Sequence, residues 1–236
     1  MDLQKELGAV AQMVREKTPP HVMPTIEAAT KKLKESGLED HALQTGQTMS
    51  DFELPDATGE IVRSAELRSQ GPLLITFYRG GWCPFCNLAL RALQERNTEI
   101  AAHGVTLVAI SPQTPDHSLT LQEEHSLQFS VLSDAGNKVA RQFGIVFALD
   151  PGLKTVQEQF GVDIPAYNGD LSFELPVPAT FLVSADGRVL KSYVEADYMQ
   201  RLDPETALAW IRELGRNTEN PAPALGFQFV EASEPV

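Results

Sequence analysis

Between Leu3 and Val14 the apolar residues Leu3, Leu7, Val10 and Val14 recur at steps of three and four, the spacing of one helical stripe. Thr18-Pro19-Pro20 ends that pattern. A second one, from Met23 to Glu35, turns Ile26, Ala29 and Leu33 inward before a stop at Gly37. The two predict an N-terminal helical extension over residues 1–42. From Asp51 to Glu60 a short alternation runs into a turn, which predicts an edge strand or hairpin. Leu73–Tyr78 is then a continuous run of apolar, β-branched and aromatic residues, the signature of a strand buried on both faces and the natural centre of a sheet. Beyond it the period changes: Leu88, Leu90, Leu93 and Ile100 predict a helix that stops at Gly104, and Val105–Ile110 predicts the next strand. Strand, tight loop, helix and strand make a βαβ unit, whose crossover is right-handed when the strands pair in parallel.

In the second half Thr114-Pro115, Asp150-Pro151 and Asp203-Pro204 each set a capping side chain before a proline, predicting three helix starts. A short strand at Phe129–Leu132 and a helix at Asn137–Phe143 fit between the first two. Residues 147–175 read as an insertion carrying a helix and the loop Ala166–Asp170. Ala179–Val183 and Arg188–Val194 then flank Ala185-Asp186-Gly187, and Asp-Gly predicts a hairpin. The expected fold is α/β: a central mixed sheet flanked by helices, a βαβ half joined to a ββα half. The core spans residues 43–215. Residues 216–236, rich in Asn, Pro, Glu and Ala, read as a poorly ordered tail in which Phe227–Val230 is a candidate docking segment.

A chain of 236 residues with 42% hydrophobic content supports one core with additions. The excess of 32 acidic over 19 basic side chains, a formal charge of −13, repels phosphate backbones and anionic lipid, so neither nucleic acid nor membrane is an expected partner. The sequence has no secretory signal pattern and no apolar run long enough for a bilayer, so a cytoplasmic protein is expected.

The 2 cysteines, Cys83 and Cys86, sit three apart where the loop after the central strand enters a helix. A secreted disulfide scaffold is thereby disfavoured, leaving a redox pair or half a metal site. Zinc needs two further ligands, and His21, His41, His103, His117 and His125 show no spacing that supplies them, so no metal and no cofactor is expected. Inert core thiols are the other alternative, but a Gly-Gly-Trp lead-in at a helix start is unusual for packing alone. At that position the helix dipole and unpaired N–H groups favour a thiolate, so the acidity of Cys83 is expected to be raised. Pro84 fits the first helical turn, and Cys86, on the same side of it but deeper, can bridge to Cys83. Cys83 is the candidate nucleophile and Cys86 the resolving partner.

Trp82-Cys83-Pro84-Phe85-Cys86 after a hydrophobic strand resembles the active-site loop of the thioredoxin superfamily, and Val177-Pro178-Ala179-Thr180 resembles its proline loop, implying a cis peptide at Pro178 beside Cys83. More widely, Leu43 to Leu214 resembles the alkyl hydroperoxide reductase and thiol-specific antioxidant family, the peroxiredoxins. The likeness rests on Tyr78-Arg79-Gly80-Gly81-Trp82-Cys83-Pro84-Phe85-Cys86, on Phe52, Leu54 and Pro55, on Ala109–Gln113, on Leu132-Ser133-Asp134, and on Pro178–Phe181. It implies a thioredoxin-like fold and a peroxidase: Cys83 attacks hydrogen peroxide or an organic hydroperoxide, and its sulfenic acid condenses with Cys86 to a disulfide. Thioredoxin or a similar dithiol then resets the pair. Arg79 is the candidate stabiliser of the thiolate or departing oxygen, an exposed loop arginine being the alternative, and Trp82 shelters the sulfur or merely packs. Gly80 replaces the threonine that family members carry three residues before the attacking cysteine, Thr76 stands where they have a proline, and Pro178 stands where a second arginine is usual. Phe77 replaces the buried aspartate of thioredoxins. Exchange of protein disulfides, or a non-catalytic redox-sensing module, are the competing functions. A homodimer through the N-terminal helices or Phe227–Val230 is the expected assembly.

Overall fold

The structure, a computed structural model, describes residues 1–219 of the chain. The N-terminal periodicity forms as predicted. In α1 (Leu3–Lys17) the Asp2 carboxylate accepts the Lys5 N–H at 3.1 Å, and Leu3 and Leu7 are buried. In α2 (Met23–Glu35) the buried residue is Ile26, and Gly37, at φ 74°, leads into a single further turn, α3 (Leu38–His41). The predicted edge element is a hairpin of β1 (Glu53–Pro55) and β2 (Ile61–Arg63), closed by the Asp56 carboxylate, which accepts the Thr58 and Glu60 N–H groups at 2.8 and 3.0 Å. The short α4 (Ser64–Arg68) follows.

Next come β3 (Leu73–Phe77), α5 (Pro84–Ala102), β4 (Thr106–Ser111), α6 (Pro115–Glu124), β5 (Ser130–Ser133) and α7 (Lys138–Gln142). The insertion opens with β6 (Val146–Ala148), carries α8 (Pro151–Gln159) and α9 (Ile164–Asn168), and closes with β7 (Glu174–Pro176), so it is a two-stranded ribbon with two helices at its tip. β8 (Ala179–Val183), β9 (Val189–Val194) and α10 (Pro204–Glu219) complete the described chain.

The main sheet has the order β5-β4-β3-β8-β9, with β3, β4 and β5 parallel and β8 and β9 antiparallel. This is the mixed α/β sheet of the thioredoxin fold, with β3 at its centre. Alternation along β3 separates two cores. Leu73, Ile75 and Phe77 face Phe143 and Phe181 on one side, while Leu74 and Tyr78 face α5, α10 and α1 on the other. Phe143 packs within 4.9 Å, between ring centroids, of both Phe77 and Phe181. Both cysteines belong to the second core.

Three expectations change. Thr114 starts α6 without capping it, because its hydroxyl donates to the Asp116 carboxylate instead. Ala166–Asn168 is the end of α9 rather than loop, since Asp163 caps it through the Ala166 N–H at 3.0 Å. α10 runs on to Glu219, past the expected boundary at 216, with no proline before Pro221 to stop it. Phe227–Val230 lies outside the described residues.

Candidate active site

The site is built where β3 hands over to α5. Tyr78 still pairs, its N–H donating to the Ile110 carbonyl at 3.0 Å, so the loop begins at Arg79. Gly80 takes φ 155°, and its α-carbon lies against the Trp82 indole. Gly81 is held from both sides: its N–H donates to the Gln113 amide oxygen, and its carbonyl accepts from Asn87 Nδ2 at 2.8 Å. Cys83 is the N-cap residue of α5, and its carbonyl accepts the Cys86 and Asn87 N–H groups at 3.0 and 3.1 Å. Pro84 takes the first helical position, where its missing N–H is no loss.

Both cysteines lie at the start of α5, as their spacing after the central strand predicts, but the electrostatics differ from expectation. Both cysteines are free thiols, Cys83 1% and Cys86 0% exposed, and the two sulfurs hydrogen-bond to each other. Burial pushes the Cys83 thiol up, and the bond to Cys86 and the charge there push it further, so its acidity is lowered rather than raised. Burial opposes ionisation at Cys86 as well. There, however, the Cys83 hydrogen bond, the Arg201 charge and the Arg79 backbone N–H prevail, and Cys86 falls well below the ordinary thiol range. The dipole argument missed this because it sees only α5. Arg201, in the loop before α10, donates from Nη2 to Cys86 Sγ at 3.0 Å.

Arg79 is a buried residue, 3% exposed, not a solvated one. Its guanidinium lies 4.8 Å from the ring centroid of Trp82 and 4.5 Å from that of Tyr198. Burial pushes the Tyr198 phenol up to about 12, so Arg79 meets a neutral ring. The half-buried Trp82 therefore packs on Arg79 as well as flanking Cys83. Pro178 lines a hollow with Arg79 and Tyr198, but the expected cis peptide is absent: the described chain contains none. Its neighbours explain why. The Val177 N–H donates to the Ile145 carbonyl at 2.8 Å and the Pro178 carbonyl accepts the Glu195 N–H at 3.0 Å, so the trans chain runs extended from β7 into β8.

A cavity of about 350 Å³ opens beside Cys83, walled by Met13 and Val14 of α1, Trp82, Phe160 and Val162 of the insertion, and Tyr198. The extension and the insertion thus both reach the site. Sequence reasoning missed Tyr198 and Arg201, which no local motif marks. Gln113 lay inside a segment that carried the family likeness, without an assigned role. Among the described residues no cluster of three or more His, Cys, Asp or Glu side chains is placed to hold a metal, and no helix is long and apolar enough to cross a membrane.

A mixed sheet with a reduced Cys-x-x-Cys at the start of the helix after its central strand defines a thiol-dependent redox protein of the thioredoxin fold. Residues 45–192 match the model of the AhpC/TSA family, and the chain belongs to it. A putative peroxiredoxin of Mycobacterium tuberculosis is 27% identical over 172 residues, covering 73% of this chain and 98% of that protein. Peroxiredoxin Bcp of Escherichia coli is 27% identical over 171 residues, covering 72% and 97%. Among solved structures, peroxidoxin BcpB of M. tuberculosis superposes with a TM-score of 0.60 at 28% identity, over 73% of this chain and 98% of its own. AhpC of Enterococcus faecalis, with a TM-score of 0.59 at 16% identity over 75% and 96%, shares the fold. The protein is a peroxidase oxidoreductase of the peroxiredoxin class.

Proposed function

We propose that Cys83 attacks the peroxide, that Cys86 resolves the product, and that a dithiol of the thioredoxin kind returns the pair to the reduced state. One observation carries the assignment: Cys83 caps α5 and lines the cavity, whereas Cys86 lies behind it with no exposed surface. The Cys83 sulfur attacks one peroxide oxygen, the O–O bond breaks towards water or an alcohol, and Cys83 becomes a sulfenic acid. Cys86 then displaces that hydroxyl as the disulfide forms. The buried Arg79 beside the same cavity supports a role in stabilising the departing oxygen. The largely apolar walls suit organic hydroperoxides as well as hydrogen peroxide.

In this reading residues 43–215 are the catalytic unit, the extension 1–42 and the insertion 147–175 lend it cavity walls, and 216–236 stands outside it. A pair reset by a dithiol needs a reducing compartment, which supports the cytoplasm. A homodimer through α1 fits its exposed Met13, and light scattering at twice the chain mass tests it. The function is tested by supplying thioredoxin, its reductase and NADPH with either peroxide or a disulfide-bonded protein. Peroxide-dependent NADPH consumption that disappears in Cys83→Ser is the expected result. In Cys86→Ser a dimedone-type probe labels Cys83 after mild oxidation. Reduction of the protein disulfide with no peroxide turnover makes the protein a disulfide oxidoreductase instead, and turnover of neither leaves a redox sensor.

A further inference from the structure

Gln157 is a buried side chain whose polar atoms have nothing to bind. It lies on the inward face of α8 beside Val156 and is 8% exposed. Its backbone carbonyl accepts the Phe160 and Val162 N–H groups at 3.1 and 2.9 Å, but among the described residues no group hydrogen-bonds to its side-chain amide. An amide taken out of water without a partner is destabilising, and an apolar side chain of the same length would fill the place without that loss. Gln113, also buried, shows the contrast, because its amide oxygen holds the Gly81 N–H. What Gln157 borders is open space: the cavity beside Cys83 and the hollow at Pro178, the latter of about 160 Å³. Arg79 and Tyr198 are the residues that border both with it. A hydroperoxide entering beside Cys83 needs an acceptor for its O–H and donors for the oxygen that leaves. Arg79 and Lys17, the charged residues at that cavity, donate only. The loop before Cys83 offers no hydroxyl, since residues 80 and 81 are glycines, and Tyr198 packs its ring against Arg79 and Phe85. Thr18, buried after α1, borders the Cys83 cavity but not the hollow. The Gln157 amide carries acceptor and donor together in one plane.

We propose that Gln157 is a catalytic residue that binds the peroxide in the Cys83 cavity, its Oε1 accepting the hydroperoxide O–H and its Nε2 donating, together with Arg79, to the oxygen that leaves. The proposal rests on the assignment of Cys83 as the attacking sulfur made above. As the S–O bond forms and the O–O bond breaks, negative charge gathers on the leaving oxygen. A donor already fixed in a buried site then stabilises the transition state more than the bound substrate. The acceptor side selects which oxygen meets the sulfur, because the oxygen that carries hydrogen is the one drawn to Oε1. The unpartnered amide is thereby explained: it is unfavourable in the resting protein and satisfied when substrate is bound. No local motif marks this residue, which reaches Cys83 only because the insertion folds over the site.

The test is Gln157→Met in the full-length reduced protein, a change that keeps length and bulk and removes both hydrogen-bonding atoms. Stopped-flow oxidation is measured with hydrogen peroxide and with tert-butyl hydroperoxide, and thiol reactivity separately with a small thiosulfonate, which has no O–O bond. Both peroxide rate constants are expected to fall about tenfold to a hundredfold. They fall by the same factor, because the amide meets the O–O–H group that the two share. The thiosulfonate rate hardly changes, and the thermal midpoint holds or rises, since the variant no longer buries an unpartnered amide. The proposal is overturned if the thiosulfonate rate falls in parallel with the peroxide rates, which places the effect on the thiol, or if the thermal midpoint drops, which makes Gln157 structural. Should Gln157→Met not fold, Gln157→Asn decides: it draws the amide back by one methylene, and the same loss selective for peroxide is expected. A wild type that neither peroxide oxidises sinks the peroxidase reading and the proposal together. A wild type that is oxidised, with Gln157→Met keeping pace, sinks the proposal alone.

Discussion

Gly80→Ala probes the loop that shapes the site. A β-carbon at residue 80 overlaps the Trp82 Nε1 and lies 2.8 and 3.0 Å from Cδ1 and Cε2, where carbon contacts settle near 3.5–4.0 Å. The backbone, at φ 155°, also lies where side chains are rarely found. The indole cannot yield as a lysine tip would, because Arg79 stacks on it and it forms part of the cavity wall. Either the loop shifts, at about 1–3 kcal/mol for overpacking, or the ring swings out and its cation–π contact, about 0.5–2 kcal/mol, is lost. The two routes together predict a loss of about 0.5–3 kcal/mol in urea unfolding. In a Trp210→Phe background the Trp82 emission moves to the red as the ring meets water, and peroxide turnover falls as Arg79 loses its platform. Gly136→Ala is the control: at φ 77° it meets no atom within 4 Å, so it carries backbone strain of about 1–2 kcal/mol and leaves Trp82 emission unchanged. Unchanged emission and stability in Gly80→Ala would refute the claim that residue 80 must lack a side chain for Trp82 to pack.

Phe181→Ala empties a place beside Phe143 and Phe77 and is expected to cost about 3–5 kcal/mol, read from the urea midpoint at constant m-value. Asp51 is held below its ordinary carboxylate value by hydrogen bonds from Arg68 and Ser64. A depressed folded value means that its contribution to stability is present above 3.8 and is lost as pH falls through the folded value, so Asp51→Asn flattens the acid limb of a stability profile. Arg79→Met, which keeps bulk but removes the charge and its contacts with Trp82 and Tyr198, is expected to slow peroxide reduction by about a hundredfold, far more than its loss of about 0.5–2 kcal/mol of stability accounts for, which stopped-flow kinetics and a melt decide together.

Local chemistry wrote most of the elements into the chain. The stripe Leu3, Leu7, Val10, Val14 forms α1, the apolar run at Leu73 forms the central strand, and Asp186-Gly187 turns the last hairpin, because periodicity and turn preference act over a few residues. The cysteine pair was legible for the same reason, through the loop that precedes it and the proline that follows. The state of its two sulfurs was not. Thiol acidity depends on burial and on which groups lie within a few ångströms, and one of those groups is Arg201, 115 residues from Cys86 in sequence. Nor does spacing reveal that Arg79 is sandwiched by Tyr198, that Pro178 is held trans by its neighbours, or that α1 and the insertion close over Cys83. Such contacts exist only once the sheet has brought remote segments together, and so tertiary packing, rather than the motif, sets the chemistry of this Cys-x-x-Cys.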